Sequence, residues 1–196
     1  MDLFMDDFNY NRITTEEFRQ YLPLAYAWVV EKERFILEHG TPLSVPQRAD
    51  AKLVGVIHPE QVRLLSVGQI PLPEHPALRA VAEAARLIAP RPAGLTLRYG
   101  IFIRSDCWES RRVLVHELVH TAQYERLGGI GAFLECYLFE CLAVGYPSAP
   151  MEQEAIKIEH TICGPAQAIS TPGSPALPHP ANKTPVKGAR TPKSLN

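Results

Sequence analysis

The chain has 196 residues, 46% of them hydrophobic, which is enough for one domain with its own core and too few for two of ordinary size. Its 20 lysines and arginines stand against 21 acids, and Lys183, Lys187, Arg190 and Lys193 all lie in an acid-free stretch after residue 163. The part before that stretch is therefore mildly acidic, and nothing in it suggests a nucleic-acid surface, so no nucleic-acid partner is expected.

The chain begins MDLFMDDFNYN, acidic and without the basic and apolar regions of a secretory leader. The longest apolar run, LPLAYAWVV at 22–30, is too short to cross a bilayer, so a cytoplasmic protein with no membrane partner is expected. Thr14 or Thr15 can cap a helix, and Phe18, Leu22, Ala25 and Val29 recur along one side of it to about Glu38. Pro23 falls inside and predicts a kink or a division. His39 and Gly40 close the helix, and Pro42 and Pro46 mark a loop. Residues 47–57 suit either a loop or a short helix facing inward through Ala49, Leu53 and Val54.

QVRLLSVGQIPLP, ending in Pro71 and Pro73, reads as extended. Residues 76–88 give an amphipathic helix with Leu78, Val81, Ala85 and Leu87 or Ile88 inward. In LTLRYGIFIR, 95–104, Leu95, Leu97, Tyr99, Ile101 and Ile103 alternate with more polar neighbours and predict one strand. That strand is either an edge to which an extended substrate pairs or a plain core strand. Helices are then expected over 107–127, from Asp106 and Glu109 as a capping box to Gly128 as a left-handed stop, over the apolar run after Gly129, and from Pro150 to Cys163. Residues 164–196 are rich in Pro, Ser, Thr and Lys and predict a disordered tail able to bind a partner. Cys107, Cys136, Cys141 and Cys163 show no C-x-x-C spacing and read as free thiols, mostly buried.

The chemistry concentrates in His116-Glu117-Leu118-Val119-His120, an H-E-x-x-H sequence. Four residues apart on a helix, His116 and His120 share a face and can present two imidazoles to one metal ion. Glu117 is placed to take a proton from metal-held water rather than to bind the metal. A catalytic zinc takes three protein ligands, so a third donor is expected downstream. Gln123 and Arg126 stand where H-E-x-x-H-x-x-G-x-x-H needs glycine and histidine, which excludes that class.

Glu152 and Glu140 remain as rivals for the third ligand. Glu152 begins Glu152-Gln153-Glu154-Ala155, whereas Glu140 lies within a helix dense in apolar residues. The segment 95–160, with HELVHTAQY and then YPSAPMEQEA, resembles the glutamate-zincins and zincin-like bacterial domains. That resemblance implies a zincin-like α+β fold, mainly α, with a small sheet packed on the H-E-x-x-H helix and a later helix donating the third ligand. It implies His116, His120 and Glu152 as ligands of Zn2+ and Glu117 as base. Ile156 stands where the family often has an aspartate supporting a ligating histidine.

The resulting expectation is one domain over 1–163, helical over 14–90 and with a metal-site core over 95–163, hydrolysing peptide bonds of a peptide or protein substrate. Glu154 and Glu159 are expected either behind the ligands or solvated, and Gln123 as a buried hydrogen-bonding residue, with Glu140 as either supporting residue or ligand. Tyr99, Tyr146, Arg98 and His160 are candidate donors to the oxyanion of the tetrahedral intermediate. The alternative is a non-catalytic zinc-binding scaffold of the same fold.

Overall fold

The computed structural model describes residues 15–84 and 91–164, and over these the chain is α+β and mainly helical, with one small mixed sheet. The N-terminal segment, the end of the helix expected over 76–88 and the Pro-rich tail lie outside the described residues. Helix α1, Thr15–His39, passes through Pro23 as one element rather than two. Pro23 is exposed, so water can take over the carbonyl that a missing N–H leaves. Ala25, Val29 and Ile36 bury the inner side of α1.

Helix α2, Val45–Leu53, starts earlier than the 47–57 reading and ends sooner, because Ser44 and Gln47 form a reciprocal capping box. Its inner residues are Asp50 and Ala51, while Leu53 is 65% exposed. Asp50 is tolerated there because Arg111 donates two hydrogen bonds to its carboxylate, at 2.7 and 2.9 Å.

Strands β1, Thr41–Pro42, β2, Arg63–Val67, β3, Gly94–Leu97, and β4, Gly100–Arg104, form a sheet in the order β1-β2-β4-β3. Strands β2 and β4 are parallel and the other pairs antiparallel. The single strand expected over 95–104 is thus a hairpin in which Leu97 pairs with Gly100. Its turn is held by two helices, α1 and the later helix that carries Thr121. Arg98, at φ 61°, offers its carbonyl to Thr121 Oγ1 at 2.9 Å, and Tyr99 N donates to Glu33 at 3.2 Å. Helix α1 crosses so closely that a Cβ on Gly100 would lie 2.9 Å from that of Ile36. Alternation misled because residues 100–103 are buried whichever way they face.

Helix α3, Pro76–Ala84, contributes Leu78 to the core. A short 3-10 turn, Ser105–Cys107, precedes α4, Arg111–Leu127, so the metal-motif helix starts four residues later than expected. Its cap is Ser110, which accepts from Val113 N. Asp106 is instead taken by Arg104 and Arg91, at 2.5 and 3.3 Å. Gly128 and Gly129, at φ 92° and 120°, end α4 as expected. Helix α5, Ile130–Val144, turns away from α4 by 116°, and α6, Pro150–Cys163, returns along it. All four cysteines are free thiols, but Cys141 alone is buried. Among the described residues, no single helix is long and apolar enough to cross a membrane.

Candidate metal centre

One turn of α4 carries His116 and His120 on the same side, and the first turn of α6 brings Glu152 against them. His116 Nε2 and His120 Nε2 lie 3.3 Å apart. Glu152 Oε1 is 3.2 Å from the second and Glu152 Oε2 is 3.4 Å from the first. Four ligands bound tetrahedrally at the zinc distances of about 2.0–2.2 Å have edges of about 3.3–3.6 Å. Each of the three observed separations, two of them to different oxygens of Glu152, is close to such an edge, and one ligand atom from each residue lies within 4.8 Å of the others.

The hydrogen bonds behind the triangle fix what its corners offer. His116 Nδ1 faces Glu159 Oε2 at 3.2 Å, an oxygen that can only accept, so Nδ1 carries the proton. His120 Nδ1 faces Gln123 Oε1 at 2.8 Å. That amide is oriented by its own nitrogen, which donates to Met151 O and Glu154 Oε2 at 2.9 and 3.0 Å. In their neutral form, imidazoles so held would turn both Nε2 lone pairs toward each other and toward a carboxylate. Three electron-pair donors converging in a buried place repel unless a cation sits among them. Glu152 is 1% exposed, and its Oε2 accepts no hydrogen bond although His116 is 3.4 Å away, which leaves an orphaned buried oxygen where a metal would bind. These residues fit a divalent metal ion.

The same demand for positive charge appears in the protonation of the metal-free site. Burial alone would lower the pKa of His116, but Glu152, Glu117 and Glu159 outweigh it and raise it to about 9. His120 is also raised, against burial, chiefly by Glu152. Burial would raise Glu152, yet the close approach of His116 and His120, as ion-pair partners, holds it well below the usual carboxylate range. A raised histidine stabilises the fold fully below its unfolded pKa of about 6.5, and that stability is lost as pH rises through about 9. Metal binding runs the other way because it displaces the proton. From pH 7 to 9 the melting temperature should therefore fall for the metal-free protein while affinity for a divalent metal rises, as calorimetry with and without added metal will read.

Each expected supporting residue has a definite place. Gln123 orients His120, and Glu154 holds Gln123 while pairing with Arg126 at 2.7 Å. Glu140 is not in the triad. It accepts from Met151 N at 2.8 Å and so caps α6, whose cap residue Ala149 has no side-chain acceptor. The carboxylate support that Ile156 cannot give comes from Glu159, which is itself paired with Arg112. Glu159→Gln should weaken binding of a divalent metal about 10- to 100-fold in a chelator competition while leaving the fold intact.

Of the candidate oxyanion donors, only Tyr146 lines the cavity beside the triad. Burial and the nearby charges of Glu152 and Glu117 push its hydroxyl to about 12, so it remains a donor at neutral pH. Tyr99 is spent on Glu125, at 3.1 Å, Arg98 lies over the Tyr99 ring at the hairpin turn, and His160 is exposed on α6. These three do not reach the site because the hairpin turns 98 and 99 away and α6 presents Glu152 and Glu159 instead.

Sequence reasoning missed Tyr137 and Thr96. Tyr137, which reads as an apolar helix position, donates to Glu152 Oε1 at 2.5 Å. Thr96, which reads as the polar side of a strand, is buried and donates to Glu117 Oε2 at 2.7 Å. Neither has a local signal, because each partner is fixed by tertiary packing. Gly94 sits so near Glu117 that a Cβ there would lie 2.5 Å from its Oε1. The triad, Glu117 and β3 share one cavity of about 210 Å3. No family model, curated protein or solved structure matches the chain.

Proposed function

We propose that the chain is a zincin-like, zinc-dependent peptidase in which His116, His120 and Glu152 hold the metal and Glu117 is the general base. The observation that carries this reading is the convergence of three lone-pair donors, His120 and Glu152 buried and His116 half-buried, each backed by its own hydrogen-bond partner, on a cavity also lined by Glu117. A zinc ion held there would supply a Lewis acid for the scissile carbonyl and lower the pKa of water in its shell to about 7.

The remaining work belongs to the chain. Thr96 holds one oxygen of Glu117, restricting the carboxylate to an orientation from which it takes a proton from water and passes it to the leaving amine. Tyr146 supplies a neutral O–H donor for charge developing on the carbonyl oxygen. Strand β3 is at the end of the sheet and lines the cavity, so its outer edge can hold an extended peptide against the site. A purely structural zinc site is closed by four protein ligands. Among the described residues only three donors converge, and they face open space, which favours catalysis over a scaffold. The test is a fluorogenic peptide mixture: cleavage abolished by chelator and restored by zinc supports the reading, and zinc-loaded protein that cleaves nothing counts against it.

A further inference from the structure

The cavity reaches well beyond what metal chemistry requires. From the triad it extends to a wall built by Ala25 and Val29 of α1, Leu78 and Ala82 of α3, and Ile70 before them. Apart from the two histidines, Glu117 and Glu152 at the metal end, no charged side chain lines it among the described residues. Trp28 also lines it, and its Nε1–H is buried with no acceptor among the described residues. An unpaired buried donor beside an apolar space is a feature that a bound carbonyl would satisfy.

We propose that this cavity receives one bulky apolar side chain of a peptide, of the size of leucine or phenylalanine, next to the bond presented to His116, His120 and Glu152. The proposal rests on the peptidase reading above. Size supports it: about 210 Å3 is below the roughly 300–1,000 Å3 of pockets that enclose a whole drug-sized molecule. Chemistry supports it as well. An aspartate or lysine side chain would be stripped of water there without a counter-charge, whereas alanine would leave the space unfilled. Strand β3 lines the same cavity, and a peptide extended along its free edge turns alternate side chains to one side, so a single residue is selected.

The experiment uses blocked pentapeptides that differ at one position, Leu, Phe, Ala, Asp or Lys. They are titrated into the full chain carrying Glu117→Gln and loaded with zinc, with Trp28 emission read in a Trp108→Phe background. Leu and Phe peptides should bind at least about 10-fold more tightly than Ala, and Asp and Lys peptides should not saturate. Ala25→Phe should weaken the Phe peptide selectively, and Leu78→Ala should move the preference from Leu toward Phe, a gain that misfolding cannot mimic. The same peptides are given to the unsubstituted zinc-loaded chain. Apolar-selective binding without cleavage keeps the cavity assignment and ends the peptidase reading. Cleavage or binding indifferent to the varied residue, or a preference unmoved by Leu78→Ala, overturns the cavity assignment.

Discussion

Glu117→Gln is expected to leave zinc at about one per chain and to reduce peptide hydrolysis about 100- to 10,000-fold. The separation of the two readouts follows from geometry. Glu117 is not one of the three converging donors, so its amide analogue leaves His116, His120 and Glu152 in place. The variant still accepts from Thr96 through its amide oxygen, so the side chain stays ordered. What it loses is basicity. Equal turnover of the variant and the unsubstituted chain on any zinc-dependent substrate would remove Glu117 from the mechanism.

Glu152→Ala is expected to lower zinc affinity by more than about 100-fold, beyond the effect of changing a residue behind the ligands. Alanine removes the anionic corner of the triangle and leaves Tyr137 without the oxygen it donates to at 2.5 Å. Ligands stabilise a fold in proportion to the logarithm of their excess over Kd, so the rise in melting temperature that zinc gives the native chain should shrink or vanish. Glu140→Ala is the matched comparison: it should retain zinc and lose stability by about 1 kcal/mol, as for a lost helix cap. Zinc lost from Glu140→Ala and kept by Glu152→Ala would reverse the assignment.

The core of this site was legible because its signals are local. His116 and His120 share a face by helical periodicity alone, and Pro150 and Gly128 mark where α6 begins and α4 ends through their own backbone preferences. Sequence pattern leaves Glu152 and Glu140 as rivals, with the resemblance pointing to Glu152, and packing distinguishes them: one faces the histidines while the other caps the helix that carries its rival. What could not be read depends on contacts distant in sequence. The hairpin at Arg98 and Tyr99 is imposed by α1 and by Thr121 of α4, and a strand buried on both sides carries no useful alternation. Asp106 and Glu109 have capping-box spacing, but Arg104 and Arg91 claim Asp106, and Ser110 caps instead. Glu159 replaces the support absent at Ile156 from the following turn of the same helix, a compensation visible only once the side chains are placed.

The most direct measurement is the metal content of the full chain purified without added metal, by mass spectrometry, with X-ray absorption at the metal edge. About one zinc per chain with nitrogen and oxygen ligands at about 2.0–2.2 Å is the predicted result. A chain that holds no zinc even after reconstitution would contradict the account, leaving His116 and His120 as imidazolium partners of Glu152 and Glu159.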